Sequence, residues 1–399
     1  MAKKTYVGVN NIARNVNKMY VGVNEVARRV KKAYVGVNGV AKLVFRKKDI
    51  HPNNLSVGRK TIAAKTDKYV FFAGGYKYAT GKPVKDVDVY DEFITRVSTN
   101  LQLPTATYSH NGGSIESTNL AIFAGGFNTT DNLDSVIVFN NSLTRTSASP
   151  LSYSGAPQIG VCPTIKKTDG TNEYILIAVA YKIYPSFSFV NSMEVYDKSL
   201  TKLTNLSGLS FTTYYGGGEA TKNHAIFCGG TTTSGAVNTM NAYDSSLTRW
   251  LISSNLSAPR ANFGIAHLNG NVIVASGGSD HYGMANGNKL VDMYNDSFTK
   301  TALANLPIVM VCPASSSNDE GEYVLFASGL NEQNTAVITD VYGYDKNFTQ
   351  HAYTHTKRAK AEAYGIDIAG YSLIAGGYNL QSEDNNDLDV YDSNGTKVF

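Results

Sequence analysis

Between residues 57 and 399 the chain repeats one two-part signature seven times, and this limits the fold more than any other property. The first part is an apolar run ending in Gly-Gly or a near relative. Its copies are FFAGGY (71–76), IFAGGF (122–127), ILIAVAY (175–181), IFCGGT (226–231), IVASGGS (273–279), VLFASGL (324–330) and LIAGGY (373–378). The second part follows after a loop: VDVYDEFITR, VIVFNNSLTR, MEVYDKSLTK, MNAYDSSLTR, VDMYNDSFTK, VYGYDKNFTQ and LDVYDSNGTK. A continuous apolar run such as Ala121 to Ala124 suits a strand buried on both faces. The Gly pair lets the backbone turn without a Cβ clash. In the second part an aromatic precedes Asp or Asn, and Thr stands four residues further on, from Thr95 through Thr396. That spacing predicts a tight hairpin in which the carboxylate or amide accepts backbone N–H groups just ahead.

These units predict an all-β architecture: seven four-stranded blades of about 48 to 51 residues closed radially into a β-propeller over 57–399. Each blade runs from an inner strand a to an outer strand d. The last blade is expected to complete its outer strand at Thr396 to Phe399, with no strand exchanged between the ends. Leu43 to Phe45 is a candidate to clasp an edge. The pattern of Arg, apolar strand, Gly-Gly and aromatic-Asp resembles the kelch repeat over about 340 of the 399 residues, best in Pro259-Arg260, VIVASGG and VDMYN. It departs from that pattern at the Trp expected six residues after the Asp, which only Trp250 keeps, and at Val179-Ala180, where the Gly pair is missing.

A second repeat, of 14 residues, occupies the N-terminus: YVGVNNIARNVNKM from Tyr6, YVGVNEVARRVKKA from Tyr20 and YVGVNGVAKLVFRK from Tyr34. Asn38-Gly39 is a strong type I′ turn signal, so each unit reads as strand, turn, strand. A helical reading stands beside it, since 14 residues make two heptads, but Gly and β-branched residues weaken a helix. The expected organisation is 1–47 basic repeats, 48–56 linker and 57–399 propeller. Residues 1–48 hold 12 Lys and Arg against the single acid Glu25, whereas the remainder holds 24 basic and 31 acidic residues. A basic arm on a mildly acidic body implies two different jobs. The arm residues singled out for attachment are Arg14, Lys18, Arg28, Arg29, Lys31, Lys32, Lys42 and Arg46.

Three cysteines, Cys162, Cys228 and Cys312, lack CxxC or Cys/His spacing, which argues against a disulfide framework and a zinc site. They read as small buried hydrophobes. The start of the chain carries no apolar run of ~7 to 15 residues, so no secretory signal peptide is expected. No segment approaches the ~20 apolar residues of a membrane span. No catalytic residue, cofactor or metal is assigned. The seven His form no convergent pair by blade position, and the SLTR-type turns lack the Gly and Trp of a sialidase-type turn. The acidic stretch Glu383, Asp384, Asp387 and Asp389 reads as a solvated loop in preference to a calcium site.

The loops between strands b and c vary while the strands repeat, as expected of a rigid scaffold presenting binding loops. Tyr76, Tyr78, Phe127, Tyr181, Tyr184, Phe187, His281, Tyr282 and Tyr378 gather there as the candidate ligand-binding residues. The alternative for any one of them is packing between blades. The YVGVN-x-VA repeats resemble those near the ends of tail-fibre or minor tail proteins in phages and prophages of Gram-positive bacteria. That resemblance implies a virion tail protein, made in the host cytoplasm. Its arm would attach to other tail or baseplate proteins or order in a homotrimer, and its propeller would recognise a host surface glycan or protein. An enzyme acting on bacterial surface carbohydrate and a structural decoration of the virion are the alternatives; convergent carboxylates around the central channel would favour the enzyme. Neither specific nucleic-acid binding nor a membrane role is expected.

Overall fold

The structure is a computed structural model. It describes the chain except residues 1–5, 10–11, 16–19, 24–25, 30–31, 38–39, 47–49, 98–99, 158–161, 168–169, 204–205, 212–213, 280–284, 321 and 382, and except the side chains of 1–49 and 156–157. Two compact units divide it, Met1–His51 and Pro52–Phe399.

In the first unit each 14-residue repeat is an antiparallel hairpin: Tyr6–Val9 with Ile12–Asn15, Tyr20–Val23 with Val26–Arg29, and Lys32–Val37 with Val40–Arg46. The β-branched valines favour this over the helical reading. Leu43 and Phe45 pair with Tyr34 and Ala33 of their own hairpin.

The second unit is a seven-bladed β-propeller, its inner strands being Lys60–Lys65, Asn111–Ile115, Thr164–Lys166, Gly217–Ala220, Gly264–Leu268, Ala314–Asn318 and Tyr364–Ile368 in blades I to VII. In blades I to VI the strands pair antiparallel in the order a-b-c-d. At the first Gly pair, Gly75 has φ 117°, and a Cβ there would lie 1.7 Å from the Lys60 carbonyl oxygen, so no other residue fits. Blade III, with Val179-Ala180 in place of Gly-Gly, keeps the bulge between Val179 and Tyr181 that blade I has between Ala73 and Gly75.

All seven c-to-d hairpins take the predicted form. Asp91 Oδ1, for instance, accepts the Phe93 and Thr95 amides, both at 2.9 Å, and Asn140, Asp197, Asp244, Asn295, Asp345 and Asp392 do the same. The residue before each Thr is left-handed, and in six blades it is bulky: Ile94, Leu143, Leu200, Leu247, Phe298 and Phe348. Left-handed backbone costs such residues about 1–2 kcal/mol. Burial offsets that cost, for Ile94 is fully buried and the others pack against the apolar clusters between blades. Those clusters each join consecutive blades; Phe71 of blade I stacks on Phe139 of blade II at 5.3 Å.

Of the closure expectations, one needs correction. Blade VII has three regular strands, and Thr396 to Phe399 run along its outer edge through the Tyr391–Lys397 bridge and the bonds from Val390 N–H to Phe399 O at 3.2 Å and Val398 N–H to Val390 O at 2.8 Å. The segment assigned as linker ends early. Leu55 is buried, its amide donates to Asn386 O at 2.9 Å, and Asn54 Oδ1 accepts the Leu388 amide at 3.2 Å. Asn53 to Ser56 thus belong to the propeller and tie blade I to blade VII, supplying the partner of the Leu388 amide.

Candidate functional site

The blades surround a central channel with two mouths. The b-to-c loops and d-to-a connections form the loop face; the a-to-b and c-to-d turns form the hairpin face.

On the loop face, aromatic rings make an unbroken arc over blades VII, I, II, III and IV. Tyr378 stacks on Tyr78 at 3.9 Å, Tyr78 meets Tyr76 at 5.1 Å, and Tyr76 meets Tyr108 at 5.1 Å. From Tyr108 the arc passes to Phe127 at 5.6 Å, Tyr181 at 5.4 Å and Tyr214 at 5.7 Å, ending on Tyr215 at 4.7 Å. Phe187 lies over Tyr181 and Tyr214 and is 49% exposed. Such spacings suit edge and stacked ring contacts.

Six of the nine predicted loop residues join this arc: Tyr76, Tyr78, Phe127, Tyr181, Phe187 and Tyr378. Phe127 and Tyr181 are buried, however, and act as its backing; the outward rings are Phe187 and the half-buried Tyr76, Tyr78 and Tyr378. Tyr184 is half-buried and spans to blade II, its hydroxyl donating to Thr129 O at 3.0 Å. His281 and Tyr282 lie outside the described residues. Tyr108, Tyr214 and Tyr215 were missed by sequence reasoning. They sit on d-to-a connections, the other half of the same face, and a Tyr just ahead of an inner strand was the available signal.

Inside the arc the channel rim carries a second regularity. Ser109, Tyr215, Asn262, Cys312 and Glu362 each stand two residues before the start of an inner strand, and all are left-handed, with φ between 50° and 61°. Backbone bonds link four of them around the rim: Asn262 N–H to Tyr215 O at 2.9 Å, Cys312 N–H to Asn262 O at 2.7 Å, and Glu362 N–H to Cys312 O at 3.3 Å. Glu362 then pairs with Lys60 at 2.7 Å and accepts the Tyr78 hydroxyl at 3.0 Å. Burial would push Lys60 down, yet the Glu362 carboxylate holds its ammonium above the usual lysine range. Non-Gly residues held in this conformation store about 1–3 kcal/mol each, the kind of strain that gathers at functional sites. The Cys312 thiol is pushed well up by burial and by Glu362, so it is a poor nucleophile.

The hairpin face holds a cavity of about 510 Å³. Every blade places at least one ionisable residue near its mouth, in chain order Lys65, Glu116, Lys166, Glu219, His267, Asp319 and Asp367. They pair across blades, Lys65 with Asp367 at 2.5 Å, Lys166 with Glu116 at 2.8 Å, and His267 with Glu219 and Asp319 at 3.3 Å each. Burial alone would lower the His267 pKa, but the two carboxylates raise it well above the usual histidine value. This ring was legible as an ionisable residue recurring about every 50 residues, and sequence reasoning passed over it.

The acidic stretch in blade VII is consumed internally. Asp384 accepts the Tyr78 and Ala79 amides, Glu383 accepts Asn379 Nδ2, Asp387 faces Arg358 Nε at 2.9 Å, and Asp389 pairs with Lys360 at 2.6 Å and Lys397 at 2.7 Å. Among the described residues no group of three or more His, Cys, Asp or Glu is placed to hold a metal ion.

Of the arm residues, Arg14, Arg28, Arg29, Lys32, Lys42 and Arg46 lie on hairpin strands. Lys18 and Lys31 lie outside the described residues. The chain matches no protein-family model, and a search of curated proteins returns no match.

Proposed function

We propose that this chain is a kelch-like, receptor-binding tail-fibre protein of a phage or prophage-derived particle. Its loop-face aromatic arc binds a host surface glycan or protein, and its three basic hairpins attach to other tail proteins. The observation that carries the binding reading is the arc itself: half-buried and exposed rings, backed by the buried Phe127 and Tyr181, offer a rigid platform. Rings held in place lose little entropy on binding, and Tyr hydroxyls add hydrogen bonds. The tail assignment rests on the resemblance of the YVGVN repeats.

One observation favours the alternative of a carbohydrate-cleaving enzyme, since Glu116, Glu219, Asp319 and Asp367 do converge on the channel. Acid–base hydrolysis needs one carboxyl kept protonated. Burial would raise Glu116, but Lys166 brings it below the usual carboxylate range; His267 holds Asp319 down in the same way. Binding is therefore the better-supported role.

The test is saturable binding of the full chain to a panel of Gram-positive cells and purified cell-wall glycans, with products checked by mass spectrometry. Strain-selective binding that falls at least tenfold in Tyr76→Ala and Phe187→Ala, with the glycan intact, supports the proposal. Cleaved glycan would overturn it in favour of the enzyme, and no binding would favour a structural decoration of the virion.

A further inference from the structure

We propose that the hairpin-face cavity is a second binding site, independent of the aromatic arc, for a neutral saccharide of one or two sugar units. At about 510 Å³ it falls within the range of small-ligand sites. Its lining grades from apolar to polar. Ala63, Gly113, Ile265 and Gly365 lie at positions well inside the inner strands, and the ion-paired ring lies nearer the turns.

The ring's charge balance selects the ligand class. Together with Lys222, which also lines the cavity, the cations Lys65, Lys166 and His267 formally cancel the four carboxylates. An anion entering would meet those carboxylates, and a cation the four basic groups. A sugar hydroxyl meets neither penalty. Reaching the Lys65–Asp367 or His267–Asp319 pair, it donates to the carboxylate oxygen while accepting from the neighbouring N–H. Both pairs remain partly accessible, with side-chain exposures of 26% and 17% for Lys65 and Asp367 and of 35% and 63% for His267 and Asp319.

The second observation is Tyr364, which lines the same cavity from blade VII. Its hydroxyl is buried and has no hydrogen-bond partner. A buried hydroxyl left unpaired costs about 1–3 kcal/mol, and a small turn of the ring that presents it to a ligand hydroxyl in the cavity would remove that cost. Burial keeps the phenol neutral, so it can both donate and accept. Its ring also gives the CH face of a sugar an apolar surface.

Saturation-transfer NMR and calorimetry on the full chain test this, with glucose, galactose, N-acetylglucosamine and cellobiose as probes and glucosamine and glucuronate as charged counterparts. At least one neutral probe should saturate with Kd of the order of 1 mM, more tightly than either charged sugar. Tyr364→Phe should weaken that binding about fivefold to tenfold while leaving Tm unchanged or raised, because it deletes an unpaired buried group. Asp367→Asn should weaken it by a similar factor. Absence of saturation by every neutral probe, tighter binding of a charged one, or unchanged affinity in both variants would overturn the proposal.

Discussion

The Tyr90 hydroxyl donates to the backbone carbonyl of Asn53 at 2.9 Å. Tyr196, Tyr243 and Tyr391 make the same bond, at 2.7 Å, to Ser149, Ser207 and Thr354. In those three cases the carbonyl lies on the connection arriving from the preceding blade. Asn53 occupies that place for blade I, whose preceding blade in the ring is VII, so the segment from Asn53 to Ser56 closes the ring where covalent continuity is missing. Removing residues 1–51 should therefore leave Tm within about 3 °C, while removing 1–56 should lower it by about 5 °C or more, through loss of Leu55 burial and the seam hydrogen bonds. Scanning calorimetry decides it; equal melting of the two truncations would mean that the segment does not close the ring.

Arg59 and Asp88 form a fully buried pair 3.0 Å apart, and Arg59 also donates to Gly74 O at 2.8 Å and Phe72 O at 3.1 Å. Arg59→Met strands a buried carboxylate and should cost about 3–5 kcal/mol, read from the urea midpoint. Adding Asp88→Leu should restore part of that loss. A single variant as stable as the parent would contradict this account.

His110 is buried between blades I and II, with Nε2 3.0 Å from Ala73 O and Nδ1 unpaired. Burial pushes its pKa down to about 4, so the folded chain holds it neutral. An unfolded histidine takes up its proton near pH 6.5, so the stability that neutral His110 permits is full above that pH and is lost as pH falls through about 4. The loss amounts to at most about 3 kcal/mol. The fall in Tm between pH 7 and pH 4 should accordingly be smaller in His110→Leu than in the parent, and equal falls would count against it.

The a-to-b turn of blade VII, Ala369-Gly370, has φ 52° and 79°, and its counterpart in blade V is Asn269-Gly270, at 52° and 74°. Two positive φ values define a type I′ turn, which Asn-Gly fits and Ala-Gly strains. Ala369→Asn should stabilise the propeller by about 0.5–1 kcal/mol in chemical denaturation. A destabilised variant would show that local contacts outweigh the backbone term.

Much of the fold was legible because its devices are local. The Asp-to-Thr spacing specified each c-to-d hairpin within five residues, and even the exception at Trp250 is understandable. Trp250 Nε1 donates to Asp244 Oδ2 at 3.0 Å, and His351 Nε2 reaches Asp345 Oδ2 at the same distance from the same position in blade VI. The candidate site was half legible. Loop aromatics could be picked out by type, but burial of Phe127 and Tyr181 depends on Tyr108 and Tyr214, which are remote from them in sequence or lie on another blade.

The sequence by itself determined the blade number, the strand order and the turn chemistry, since each depends on residues within one repeat of about 50. Tertiary structure alone decided which side chains meet. Radial closure brings Lys65 to Asp367 and Tyr78 to Tyr378 across about 300 residues of chain. A periodic pattern records what each blade repeats, whereas these contacts depend on how blades face one another around the axis, which no single repeat encodes.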